Sequence, residues 1–214
     1  MNVGIIGSGG VGRALGRGFA QAGHAVRLGT RSPEREELQT WAHETGAGAA
    51  IATFEETAVF GNLLVLSTLW TGTESALELA GLSNFSGKVV LDTTNPLDFS
   101  EGVPPRLFVP EAGSGGAQVQ RWLPDARVVK CFNIVGAPFM VHPHFEGGPP
   151  TMFIAGDDAD AKATTTEILD AFGWETIDLG GIEASAYLEG LAMVWILHGF
   201  KSGTWSHAFK LLRH

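Results

Sequence analysis

Cysteine is almost missing from this chain. Cys131 stands alone among 214 residues, which excludes an intrachain disulfide and fits a reducing compartment. Long apolar runs are missing too, and glycines break up the amino-terminal segment. We therefore expect neither signal peptide nor membrane anchor, and a cytoplasmic protein. Positive charge is scarce: 14 Lys and Arg against 23 Asp and Glu leave a net charge of -9. That balance argues against nucleic acid or an anionic membrane surface as a partner. Internal repeats and low-complexity tracts are absent, while 44% hydrophobic and 17% charged residues describe a well-buried globular chain.

The few cations are unevenly placed. Arg13, Arg17, Arg27, Arg31 and Arg35 lie within the first 35 residues, where Glu34 is the only acid. A basic segment in an acidic protein suits a small polyanionic ligand, although Arg13 and Arg17 taken singly read as solvated helix faces.

Glycine supplies the most informative motif. Gly7-Ser8-Gly9-Gly10-Val11-Gly12 directly follows the apolar run Val3-Gly4-Ile5-Ile6. A GxGxxG pattern has meaning only between a strand and a helix, and this one is so placed. Gly7 makes the tight turn, Gly9 lets backbone approach a pyrophosphate, and Gly12 lets the helix lie close to the strand. The helix then opens with free N–H groups and the positive end of its dipole aimed at the phosphates.

Beyond the motif, strand and helix signals alternate. Strands are expected at Val3–Ile6, His24–Leu28, Ala49–Ala52, Leu63–Ser67, Val89–Asp92 and Arg127–Cys131. Helices are expected at Val11–Ala22, Glu34–Thr45 (opened by Pro33), Phe54–Phe60, Glu74–Ala80 and Ala117–Leu123. This alternation predicts an α/β fold, a Rossmann-type doubly wound parallel sheet. Two extra carboxyl-terminal strands, Met152–Ala155 and Glu175–Asp178, flank a helix over Ala161–Phe172. A short helical segment follows, from about Ala184 to Phe200, with a final helix near Trp205–Leu212. We expect one domain over 1–214, its Rossmann core reaching about residue 136 and an extension covering about 137–214. Met193-Val194-Trp195-Ile196-Leu197 is apolar around the whole helix and needs cover on every side, either between the sheet and the final helix or against a second subunit, of which we favour a homodimer.

The second strand ends in Leu28-Gly29-Thr30-Arg31-Ser32, with Arg35 a turn later. An NAD-preferring fold usually carries Asp or Glu here for the ribose hydroxyls. A hydroxyl, a guanidinium and a second hydroxyl suit a 2′-phosphate instead, through charge-assisted contact of ~1.5–3 kcal/mol. That corresponds to a ~10- to 150-fold preference for NADP(H) over NAD(H). Three further strand ends converge on the crevice where such sheets bind ligands: Ser67-Thr68-Leu69-Trp70, Asp92-Thr93-Thr94-Asn95-Pro96, and Cys131-Phe132-Asn133-Ile134-Val135-Gly136. Their small and amide-bearing side chains make a nicotinamide floor. Trp70 is placed for a rim or stacking role; the plainer reading of Asn95 is a turn residue before proline.

Together these motifs resemble the NADPH-dependent reductases of the deazaflavin coenzyme F420, and the cytoplasmic reductase domain of the six-transmembrane metalloreductases. The resemblance spans nearly the whole chain, including Lys130–Gly136, Phe153–Asp158 and Leu188-Glu189-Gly190-Leu191. It implies that Ser8 to Val11 contact the pyrophosphate and that Thr30, Arg31 and Arg35, beside Ser32, read the 2′-phosphate. It sets Thr68, Leu69 and Trp70 near the ribose and nicotinamide. Asn95, Pro96, Asn133, Val135, Gly136 and Ala137 then surround the hydride acceptor, coenzyme F420 or a flavin. Residues from Pro138 to Pro150 and those after Gly199 shape the acceptor pocket and carry no deazaflavin signature.

Hydride transfer between a nicotinamide and a flavin-like ring needs stacked partners in a dry cleft more than an acid or base. No catalytic residue is assigned. Lys130 lies in a strand, where it turns away or meets a carboxylate, and Asp92 reads as a structural bond to nearby backbone. His142-Pro143-His144, with Glu146 the only local carboxylate, is too sparse for a metal, and none is expected. His198 and His207 read as helix-surface or interface residues, and Cys131 as a buried thiol without an activating histidine. Two other readings stay open. A small carbonyl or imine reductase usually adds a long helical domain with a catalytic lysine, for which the stretch after the last strand is too short. A non-catalytic NADP(H)-binding regulator is allowed by the missing acid–base pair.

Overall fold

The computed structural model describes residues 1–213. Along the chain run β1 (Asn2–Ile6), α1 (Gly10–Gln21), β2 (Ala25–Gly29), α2 (Glu36–Thr45), β3 (Ala49–Ala52), α3 (Phe54–Phe60), β4 (Leu63–Leu66) and α4 (Thr73–Ala80). Then come β5 (Val89–Asp92), β6 (Leu97–Asp98), β7 (Arg106–Leu107), α5 (Gly115–Trp122) and β8 (Arg127–Lys130). The chain closes with β9 (Thr151–Gly156), α6 (Ala159–Ala171), β10 (Glu175–Asp178) and α7 (Ser185–Ser202).

Local chemistry explains the boundaries. Thr53 and Glu56 form a reciprocal capping box that starts α3, and Asp158 accepts from the Ala161 N–H at 2.7 Å to start α6. Glu36 and Glu37 sit at the positive end of α2, which stops at Gly46 with φ 104°. Helix α2 begins two residues later than expected, because residues 32–35 close a turn and Arg35 becomes the N-cap. Leu63–Leu66 is buried throughout, as a strand covered on both faces must be.

Among the described residues the main sheet has the order β10-β9-β8-β5-β4-β1-β2-β3. From β3 to β8 neighbouring strands run parallel, with Ile5 opposite both Leu28 and Val65, and Leu66 opposite Asp92. One face is packed by α1, α2 and α6 through Leu15, Phe19, Trp41 and Leu169; the other by α3, α4 and α5 through Ala58, Leu77 and Val119. This is the doubly wound sheet that the alternating pattern predicts.

Three features depart from the sequence expectation. The two added strands are present, but β9 runs antiparallel to β8, with Lys130 opposite Ala155, and β10 runs parallel to β9. Residues 131–150 hold one short 3₁₀ turn and no crossover helix, so the chain folds back where a parallel pairing would require a crossover. The hairpin of β6 and β7 was not foreseen, since two-residue strands carry no readable period. The predicted helix at Trp205–Leu212 is a correction: α7 ends at Gly203, φ 69°, and the following residues are not helical. They return beside β9, where the Thr151 N–H donates to the Phe209 carbonyl at 2.8 Å. Trp205 packs over Gly199, and the Trp195 indole N–H donates to the His207 carbonyl at 2.8 Å. Packing on α7 therefore decides the path of this tail over local helix propensity.

Helix α7 is covered on one side only. Trp195 and Ile196 are buried, whereas Tyr187, Val194 and Leu197 are 77%, 55% and 48% exposed. Among the described residues no helix is long and apolar enough to cross a membrane.

Candidate functional site

The turn between β1 and α1 is built as its glycines require. Gly7 has φ 123°, and a Cβ there would lie 2.6 Å from the Ser67 carbonyl oxygen. A Cβ on Gly12 would lie 2.1 Å from the Gly7 carbonyl oxygen, so only glycine lets α1 start this close to the strand. The Ser67 hydroxyl donates to the Ile6 and Gly7 carbonyls at 3.3 and 3.2 Å, fastening the end of β4 to the turn. Gly9 and Gly10 are different: a Cβ on either meets nothing within 4 Å. Gly9 caps α1 without a side-chain hydrogen bond, and no acid occupies the first turn. The first N–H groups of α1 thus face open space at the positive helix end, a cradle that fits a pyrophosphate.

At the end of β2, Thr30 is buried and its hydroxyl oxygen accepts from the Ser32 N–H at 3.3 Å. Arg31 is exposed, and among the described residues it makes no ion pair or hydrogen bond. Arg35 is half exposed and pairs with Glu37. The two arginines therefore differ, one free for a ligand and one already partnered. Arg17 pairs with Glu44 at 3.7 Å on the surface, in keeping with a solvated helix face.

The remaining strand ends form a connected floor. Thr68 and Thr73 share a hydroxyl hydrogen bond of 2.8 Å, and Thr73 donates to the Leu69 carbonyl at 3.1 Å. Leu69 itself is exposed. The Asn95 amide donates to the Asn133 carbonyl at 2.7 Å; the Asn133 amide donates to Asn95 Oδ1 at 3.0 Å and to the Leu188 carbonyl at 3.1 Å. The ends of β5 and β8 are so tied to each other and to α7. Pro96 packs on Gly115, Val135 is buried, and Gly136, followed by half-buried Ala137, lies against Trp195. Asn95 and Asn133 are thus brought together, while Gly136 sits under Trp195 of α7. Phe132, between β8 and Asn133, is buried in a left-handed conformation, φ 58°, which costs a non-glycine residue on the order of 1–3 kcal/mol.

Beneath this floor lies an ion cluster whose full membership the sequence did not reveal. Lys130 Nζ is 2.7 Å from Asp92 Oδ2, 3.0 Å from Glu189 Oε1 and donates to the Thr94 carbonyl at 2.8 Å. All three groups are buried. Asp92 Oδ1 also accepts from the Thr94 N–H and hydroxyl at 2.9 and 2.7 Å, holding the strand end that carries Asn95. Glu189 accepts from the Gly115 and Gly116 N–H groups, 2.9 Å each, at the positive end of α5. Burial alone would lower the Lys130 pKa, but the Asp92 and Glu189 carboxylates overcome it and hold the pKa above the ordinary lysine value. Buried beside two carboxylates and donating to the Thr94 carbonyl, the Lys130 ammonium has no contact with solvent. Burial, reinforced by Asp92, pushes the Cys131 thiol pKa up, so this residue is an inert core thiol. The readable signal was a lysine inside a buried strand opposite Asp92; Glu189 lay in a noted motif but comes from 59 residues further along.

Next to the floor, a cavity of about 630 Å³ opens between the β4–α4 connection, the β6–β7 hairpin and α5. Trp70 forms one wall, stacked on Trp122 with ring centroids 5.5 Å apart and planes at 28°. His142 and His144 lie in the 140–150 loop, and among the described residues no group of three His, Cys, Asp or Glu is placed to hold a metal.

Comparisons with known proteins agree with this geometry. Residues 2–96 match the family model described as NADP oxidoreductase, coenzyme F420-dependent. A crystal structure of a candidate F420-dependent NADP reductase from Arthrobacter sp. FB24 is 37% identical, with a TM-score of 0.94 over 100% of both chains. The metalloreductase STEAP3 of Rattus norvegicus is 26% identical over 194 residues, 89% of this chain but 36% of that protein. The chain therefore spans about a third of the length of that curated relative. An imine reductase from Aspergillus terreus, 20% identical, has a TM-score of 0.66 over 94% of this chain and 63% of its own, a likeness of fold alone.

Proposed function

Since the chain belongs to the family of coenzyme F420-dependent NADP oxidoreductases, we propose that it moves hydride between NADP(H) and a flavin or deazaflavin acceptor. The observation that carries this reading is the open, uncapped start of α1 beside an unpaired Arg31. Gly7 to Gly12 would hold the pyrophosphate by backbone N–H groups. Thr30, Arg31 and Ser32 would take the 2′-phosphate, with Arg35 joining by giving up its exposed pair with Glu37. Thr68, Leu69 and Trp70, with Asn95 and Pro96, would line the ribose and nicotinamide, and the Asn95–Asn133 bridge would orient the floor.

When bound, the reduced nicotinamide would supply a hydride, two electrons with one hydrogen nucleus, to the acceptor ring. The chain's own residues bind, orient and exclude water; none needs to act as acid or base. The buried, ion-paired Lys130 weighs against the carbonyl- or imine-reductase alternative, which would use a lysine as proton donor. Absorbance of NADPH, followed with flavin and deazaflavin acceptors in turn, tests the proposal. Oxidation with at least one acceptor is expected; tight NADPH binding without turnover of any would leave the regulatory, non-catalytic reading in its place.

The apolar stripe of Tyr187, Val194 and Leu197 supports a homodimer formed through α7, and the lone buried thiol suits a cytoplasmic setting. Sedimentation equilibrium of the native chain and of Val194→Glu tests the dimer. A monomeric native chain removes it.

A further inference from the structure

The cavity beside the nicotinamide floor has a charge character that the family resemblance does not predict. It opens at the carboxyl ends of β4 and β5, where a doubly wound sheet binds ligands. Trp70 stands three residues past Ser67, which is bonded to the phosphate turn, and Leu97 stands two residues past Asn95. At about 630 Å³ it is within the range of small-molecule pockets, roughly 300–1,000 Å³. Its apolar walls are the stacked Trp70 and Trp122, with Phe108 half exposed at 50%. The charged groups on its lining are all carboxylates: Glu74, Asp98 and Glu111. Glu111 is partly neutralised by Arg121 at 3.3 Å. Hydrogen bonds from the Ser100 N–H and hydroxyl, helped by Arg106, hold the Asp98 carboxyl below its usual pKa and so ionised. Glu74 has no ion pair among the described residues.

We infer that this cavity seats the ring of the hydride acceptor, and that its carboxylate rim admits neutral or cationic planar acceptors in preference to polyanionic ones. The inference rests on the hydride-transfer reading above. An aromatic wall accepts any flat π-system, so ring identity is set loosely. The carboxylates at the mouth instead act on the substituents: Glu74, without an ion pair among the described residues, leads them, and together they repel a phosphorylated or polycarboxylated tail over a distance comparable with the Debye length.

Riboflavin and FMN share one ring and differ by a phosphate, which makes them the direct probes. Titration calorimetry on the full chain should give riboflavin about tenfold tighter binding than FMN at low salt, and a smaller ratio at high salt. Glu74→Lys, an exposed change on the first turn of α4, should shrink or invert the ratio. Trp122→Leu should weaken both flavins by a larger factor than it weakens NADPH. FMN binding as tightly as riboflavin, or a ratio unmoved by Glu74→Lys, overturns the charge selection. Normal NADPH binding and turnover with flavin binding untouched by Trp122→Leu overturns the seat alone. No NADPH heat, with riboflavin still preferred, overturns the hydride-transfer reading and leaves the cavity as an aromatic-ligand site.

Discussion

Two regions of this molecule handle charge at the same edge of one sheet, and they do it in opposite ways. At the start of α1 the backbone donors are left open, and Arg31 stands in solvent without a partner among the described residues. Under the Asn95–Asn133 floor, Asp92, Lys130 and Glu189 are buried, and the lysine lies between both carboxylates and donates to the Thr94 carbonyl. Unmet hydrogen-bonding capacity in the first region marks where a ligand completes the structure. Dense ion pairing in the second makes a brace that joins β5, β8, α5 and α7. Titratable groups near a cleft are therefore informative only once their partners are counted.

The contrast can be broken most forcefully at the brace. Lys130→Met leaves two buried carboxylates uncompensated and should cost about 3–5 kcal/mol, seen as a large fall in Tm or loss of soluble protein. A stable, fully active Lys130→Met protein would refute the bracing role. The same lysine sets a pH sign. Its folded pKa is raised, so its contribution is present below the unfolded value of 10.5 and is lost only as pH rises through the folded value. Across neutral pH, urea midpoints should show no loss from this group.

At the cradle the effects should fall on binding and spare folding. Arg31→Ala should weaken NADPH by about 10- to 150-fold and NADH hardly at all. Equal losses, measured by calorimetry, would remove the 2′-phosphate assignment. Arg35→Ala should do less, because that side chain already has Glu37. Gly9→Ala should leave Tm unchanged, since φ is -72° and a Cβ there meets no protein atom. NADPH affinity should nonetheless fall by about tenfold or more as the methyl enters the space of the phosphates. Farthest from both regions, Thr53→Ala should cost about 1 kcal/mol through the lost capping box of α3, with no change in nucleotide affinity.

Legibility followed distance along the chain. The glycine turn, the end of β2 and most helix stops could be read because each depends on neighbours a few residues away. Asp92 and Lys130 could be noticed singly but not joined to Glu189. The tail at 205–212 looked helical by composition, yet the contacts of Trp195, Gly199 and Thr151 took it elsewhere. Trp70 was placed at the rim from its strand-end position; its partner Trp122, 52 residues later, left no pattern to find.

By itself the sequence determined the alternation of strands and helices, the phosphate turn between β1 and α1, and the replacement of an acid by Arg31 at the end of β2. These follow from backbone conformation and residue type within short windows. Only the tertiary structure decided that β9 runs back against β8, that Asp92, Lys130 and Glu189 meet in one buried ion cluster, and that Trp70, Trp122 and three carboxylates share one cavity. Each depends on groups far apart in the chain, whose desolvation and pairing have no energy until the sheet and its helices have brought them into contact.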